Sequence, residues 1–137
     1  MALDFIEKDT QVEEFLIKVK SILSSNDFNI NEHLDVQISP IPGTAGFKNF
    51  ITLMDLDYDN TDIMNDLLSI TLQDYSETMF DKRDVTSPMF RVFSKYINNR
   101  EIYIKIKIRD NANSQVFCIS FHYSENEMYT PYGKRKR

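Results

Sequence analysis

The segment Glu101–Arg109 alternates without a break: Ile102, Ile104, Ile106 and Ile108 interleave with Tyr103, Lys105, Lys107 and Arg109. Successive side chains of a strand point to opposite faces, so this spacing predicts one apolar and one cationic face. A one-residue slip would bury the charges, which specifies the register. Gln115–Tyr123 alternates as well. Phe117, Ile119 and Phe121 are expected on the core side, and Val116, Cys118, Ser120 and His122 on the other. An antiparallel hairpin across Asp110–Ser114, with its apolar faces matched, sets His122 opposite or diagonal to Tyr103, and Ser120 to Lys105. Opposed residues have Cβ atoms about 5 Å apart. The preceding strand, Phe90–Phe93, is expected to add Arg91 to this face, and its end Lys95.

These residue types suit cleavage of RNA without a metal. Histidine moves protons near neutral pH. Tyrosine can do so when nearby cations lower its pKa. Lysine and arginine stabilise the charge that builds on phosphorus, and aromatic faces stack unpaired bases. The plain alternative is a solvated charged face with an incidental histidine at a strand end. Cys118 reads as a small strand residue, not a nucleophile.

The elements that must carry this face are legible in outline. The chain has 137 residues, 42% of them apolar, with 10 Phe, 7 Tyr and no Trp. That is enough for one domain with a core, and it argues against disorder. Thr10–Ser24 shows helical spacing of Val12, Phe15, Leu16, Val19, Ile22 and Leu23, with Thr10 and Glu13 placed for a capping box. Leu34, Val36 and Ile38 suggest a short strand, stopped by Pro40, Pro42 and Gly43. Phe47–Leu56 and Asp62–Ile70 suggest two more helices. The aspartates of Asp55–Asp62 lack the glycine and distal glutamate of a calcium loop, so Asp59 or Asn60 is read as a helix cap. Thr71 can cap a turn through Asp74, and Asn98-Asn99 fits a hairpin turn.

The net charge of −5 is uneven: Met1–Asp81 carries −12 and Lys82–Arg137 carries +7. Such asymmetry points to a basic working surface in the second half. Cys118 is the only cysteine, so no internal disulfide is expected, and a reducing cytoplasm is the default location. No apolar run reaches the ~20 residues of a membrane span. The start of the chain does not read as a signal peptide. No Cys/His cluster suggests zinc, and no cofactor is expected.

Three stretches, VEEFLIKVKSIL, KNFITLMDLDYDNTDIMNDLLSITLQDY and VFSKYINNREIYIKIKIRDNANSQVFCISFH, occur in an order and spacing similar to the MqsR family (motility quorum-sensing regulator mRNA interferases). The resemblance spans about Val12 to Met128. It implies an α+β, RelE-like fold: N-terminal helices on one face of a small antiparallel sheet built mainly by the C-terminal half. One domain is expected, with an acidic, mainly helical part over 1–81, a basic sheet over 82–128 and a basic tail over 129–137. The resemblance further implies a type II toxin that cleaves mRNA and is held by a cognate antitoxin, commonly a DNA-binding protein. It assigns Tyr103, Lys105, His122 and Lys95 to catalysis, while Arg91, Lys107 and Arg109, the further cations that the alternation puts on this face, are expected to hold RNA. Ser76, Glu77 and Thr78 depart from the family pattern, with Glu77 where some relatives carry a site lysine. The competing expectations are a non-catalytic RNA- or protein-binding module, and an interaction protein whose Asp55–Asp66 segment docks a basic partner.

Overall fold

The computed structural model describes residues 4–110 and 114–133. Helix α1 spans Asp9–Leu23 and buries Val12, Phe15, Leu16, Val19 and Leu23, the face its spacing predicts. It begins one residue before Thr10. Gln11, not Glu13, reaches back to cap it, with its Oε1 accepting from the Lys8 N–H at 3.2 Å. Two short elements follow, α2 (Ile30–His33) and β2 (Leu34–Val36).

Helix α3 (Phe47–Leu56) starts at Gly46, whose φ of 90° lies in the left-handed region. A Cβ there would sit 2.9 Å from the Gln37 carbonyl oxygen, so only glycine lets α3 approach the chain leaving β2. Helix α4 (Asn60–Leu68) is capped as the sequence suggests. Asp59 accepts from the Asp62 N–H at 3.0 Å, and Asp62 returns a bond to the Asp59 N–H at 2.9 Å. These two bonds account for two of the clustered aspartates without a metal.

The sheet holds six strands: β1 (Asp4–Phe5), β2, β3 (Tyr75–Met79), β4 (Phe90–Ile97), β5 (Arg100–Arg109) and β6 (Gln115–Tyr123), in the order β1-β3-β4-β5-β6-β2. β2 runs parallel to β6 and the other pairs are antiparallel, so the sheet is mixed and not wholly antiparallel as expected. β1, β2 and β3 come from the half read as mainly helical. Asn98 and Asn99, at φ 53° and 67°, close the β4–β5 hairpin.

The helices cover one face. Phe15 of α1 stacks on Phe93 at 6.3 Å between centroids, and Tyr58 meets Phe121 at 6.0 Å. Ile102, Ile104 and Ile106 are fully buried in this core. Tyr129–Gly133, read as tail, is docked: Ser76 Oγ donates to the Tyr129 carbonyl at 2.7 Å, and Tyr132 stacks on Tyr75 at 6.0 Å. Lys134–Arg137 lie outside the described residues.

The β5–β6 register holds the key irregularity. Tyr103 pairs with His122, Ile104 with Phe121 and Lys105 with Ser120; then Ile106 pairs with Cys118 and Lys107 with Phe117. Ile119 is thus an extra residue, a β-bulge. Before it, Val116 and Cys118 face the core and Phe117 faces out, the reverse of the alternation expected there. After it, Phe121 faces the core and His122 faces out, as expected.

Candidate functional site on the open face of the sheet

The face away from the helices collects Tyr103, Lys105, Ser120 and His122, as the alternation predicts. The Tyr103 and His122 rings stack at 5.3 Å with planes 11° apart. His122 Nδ1 lies 3.0 Å from the Tyr123 carbonyl oxygen. A carbonyl only accepts, so Nδ1 carries the proton, and Nε2 of the neutral ring is the free base. Burial, with a smaller push from Lys48, holds the His122 pKa below the ordinary value, against the Tyr123 bond and Glu125. The ring is therefore neutral at pH 7. That suits a proton acceptor.

Both rings line a cleft of about 420 Å³, bounded also by Ser76, Glu77, Lys48 and Met128. Tyr103 departs from expectation. Burial, then the carboxylates of Glu77 and Asp4, push its pKa up to about 12. Nearby cations do not lower it, so the Tyr103 hydroxyl keeps its proton at pH 7 and can donate a hydrogen bond. Its hydroxyl lies 3.9 Å from Met79 Sδ. Lys105 has no carboxylate in ion-pairing range among the described residues, and its ammonium sits 5.0 Å from the Phe90 ring centre. Burial, together with Lys82, lowers its pKa, partly offset by Asp4, Asp81 and Glu77.

Four expected members of this face are engaged elsewhere. Arg91 and Lys95 pair across the ladder with Ile106 and Ile102, which puts them on the helix side of the sheet. β4 alternates like β5, and Phe90 and Val92, not Arg91, share the face of Lys105 and Lys107. The Arg91 guanidinium lies 4.6 Å from the Phe15 ring centre and grips Glu7 through Nε at 2.8 Å and a second nitrogen at 3.0 Å. Burial raises the Glu7 pKa, but the bonds from Arg91 and Thr78 outweigh it and hold the carboxyl below its usual range. Lys95 lies 3.9 Å from Asp74.

Lys107 and Arg109 do face out, yet both are capped. Lys107 is 5% exposed and bonds Asp81 at 2.9 Å and Ser87 at 3.3 Å, beneath the segment that joins β3 to β4. Arg109 bonds Asp35 and Gln115, each at 2.8 Å, and lies over the Phe117 ring at 3.8 Å. Four of the five ion pairs among the described residues thus join a carboxylate of residues 1–81 to a cation of residues 82–137. Much of the charge asymmetry in the sequence is satisfied inside the fold.

Glu77, left open by the sequence, lies on the open face. It pairs with Val92, which pairs with Lys105, so two strand spacings (~10 Å) separate the Glu77 and Lys105 backbones. Burial and Asp4 raise its pKa, while Lys105 lowers it. Sequence reasoning missed its neighbours because it did not recognise β3 as a strand. Ser76 is an extra residue between Tyr75 and Glu77, and it breaks the alternation that would have revealed one. Cys118 is fully buried in the core, where burial pushes its thiol up to about 12, consistent with an inert side chain.

The fold and site together define an α+β protein with a six-stranded mixed sheet, helices on one face and a histidine–tyrosine cleft on the other. No family model, curated protein or solved structure matches the chain. Among the described residues no helix is long and apolar enough to cross a membrane.

Proposed function

We propose that the chain is a metal-independent endoribonuclease, the toxin of a type II toxin–antitoxin pair, with a RelE-like fold. One observation carries the reading: His122 is stacked on Tyr103, its Nδ1 proton is held by the Tyr123 carbonyl, and Nε2 has no protein partner among the described residues. His122 Nε2 takes the proton of the ribose 2′-hydroxyl. The 2′-oxygen attacks phosphorus and the bond to the 5′-oxygen breaks; that oxygen takes a proton from solvent water, the imidazolium returns its own proton to solvent, and the products are a 2′,3′-cyclic phosphate and a 5′-hydroxyl. Lys105 stabilises the charge on the phosphoryl oxygens. Tyr103 donates a hydrogen bond and offers its face to a base. The substrate is mRNA, the location is cytoplasmic, and a cognate antitoxin, a DNA-binding protein encoded nearby, restrains the activity.

The test is incubation of purified protein with RNA in EDTA. Cleavage to 2′,3′-cyclic ends is expected, falling at least ~10²-fold in His122→Ala with the fold kept, because this side chain leaves the apolar face untouched. Absence of cleavage, or a His122→Ala variant as active as wild type, overturns the reading.

A second reading, a non-catalytic binding module, is favoured by the engagement of Arg91, Lys95, Lys107 and Arg109 in ion pairs. It predicts RNA or protein retention without cut ends.

A further inference from the structure

A strand that loses its neighbour leaves a row of unpaired backbone groups. β6 meets this problem halfway along. β2 pairs with it only at Val116, Phe117 and Cys118, after which the chain leaves through Gln37, whose N–H bonds the Cys118 carbonyl at 3.0 Å. From Ile119 onward the outer edge belongs to α3. Asn49, 1% exposed, donates through Nδ2 to the Gln37 carbonyl at 2.7 Å and the Ile119 carbonyl at 2.9 Å. Its Oδ1 accepts from the Phe121 N–H at 2.8 Å. Thr52 Oγ1 accepts from the Tyr123 N–H at 3.1 Å.

The carbonyls of Cys118 and Ile119 are consecutive, yet both are bonded from the same outer edge. In a regular strand successive carbonyls point to opposite sides. Asn49 therefore bonds the bulge itself. The consequence for the site follows from parity. If the Ile106–Cys118 register continued without a bulge, Phe121 would lie opposite Tyr103. His122 would then turn into the core.

We propose that Asn49 is the positioning residue for His122: by tying the Ile119 carbonyl and the Phe121 N–H to α3 it holds the bulge that turns His122 into the cleft beside Tyr103. Its expected effect on cleavage rests on the nuclease reading above; its effect on the imidazole does not. The groups facing that ring are Tyr103 on β5, Lys48 on α3 and Glu125 beyond β6, the last two joined at 2.8 Å.

The experiment reads the His122 ring by nuclear magnetic resonance of histidine-labelled protein. With 2 histidines in the chain, His33→Gln assigns the signals. Wild type is expected to show the Nδ1–H tautomer and to titrate below the ordinary histidine range. Asn49→Asp still accepts from the Phe121 N–H but cannot donate to either carbonyl. It is expected to lose the tautomer preference, to titrate nearer the ordinary value, and to cut RNA at least ~10-fold more slowly with KM little changed. Leu67→Ala, buried in α4, which packs on α1, serves as the control for destabilisation alone and is expected to keep the wild-type ring signature. A folded Asn49→Asp with wild-type tautomer and titration overturns the proposal. Should that variant not fold, Asn49→Gln, which carries the same groups one methylene further out, is read in the same way. Wild type that cuts no RNA, with the ring signature still shifted by Asn49→Asp, overturns the nuclease reading and leaves the positioning role standing.

Discussion

The two ends of the β5–β6 ladder share one face of one sheet, yet their charged side chains have opposite fates. Where β6 precedes the bulge, Lys107 and Arg109 are held by Asp81 and Asp35, and the Phe90 and Phe117 rings lie 6.1 Å apart beside them. Where β6 follows the bulge, Tyr103 and His122 line an open cleft and Lys105 has no ion-pair partner among the described residues. The residue types barely differ between the ends. What differs is whether a carboxylate from the first half of the chain reaches them. A buried cation must be paired, so Lys107 is a structural charge, whereas the half-buried Lys105 carries a charge that no carboxylate among the described residues pairs.

The harshest way to break that contrast is to uncap the closed end. In Asp81→Ala, Lys107, 5% exposed in the wild type, loses its ion-pair partner and keeps only the Ser87 hydroxyl. Removing one member of a fully buried pair costs about 3–5 kcal/mol; Asp81 keeps more contact with water, so about 2–3 kcal/mol is expected. Chemical denaturation reads it as a lower midpoint with unchanged slope. The same pair carries a pH signature. The bond from Lys107 holds the Asp81 carboxyl below its usual range, against the opposing effect of burial and with help from the N–H of Arg83. A depressed carboxyl contributes stability that is present above the unfolded pKa and lost as pH falls through the folded one. Acid unfolding of wild type is therefore expected to steepen below about pH 4, and Asp81→Ala to flatten that limb.

On the nuclease reading, the open end is expected to have its own acid limb, in rate. With the His122 pKa below 6.5, the neutral base is present at pH 7, and the cleavage rate should stand at its plateau there. As pH falls through the folded pKa the rate should drop about tenfold per unit. An acid limb centred above pH 7 would remove His122 as the base. Stability runs in the same direction. Because the folded imidazole is harder to protonate than the unfolded one, its contribution is present above the unfolded pKa and lost as pH falls.

The same contrast explains what could be read from the sequence. The alternation of β5 fixes its faces, and with an antiparallel pairing of the Glu101–Arg109 and Gln115–Tyr123 strands it yields the meeting of Tyr103 with His122. The bulge at Ile119 could not be read, because Phe117, Ile119 and Phe121 alternate as a regular strand would; the deciding force is Asn49, distant in sequence. Arg91 and Lys95 were misplaced for a related reason. A cation on an apolar face violates alternation unless a buried carboxylate awaits it, and Glu7 lies 84 residues away. Net charge by halves was visible, but the pairing of the halves is a tertiary fact.

The mildest prediction sharpens the comparison most, because it exchanges the roles of the two ends. Each phosphate neutralised on single-stranded RNA contributes about 0.7 to the slope of log affinity against log salt. Lys105→Gln should weaken RNA binding and reduce that slope by about one such increment. Arg109→Gln should leave the slope alone, since Asp35 already balances that charge. Asp35→Asn then frees a partly exposed guanidinium beside the Phe117 ring, and affinity and slope should both rise. Fluorescence anisotropy with a short labelled RNA across a salt series measures all three variants. If Arg109→Gln weakens binding as much as Lys105→Gln does, the cap at Asp35 opens in solution. The two ends would then be one continuous basic surface, and the division at the bulge would have no bearing on RNA.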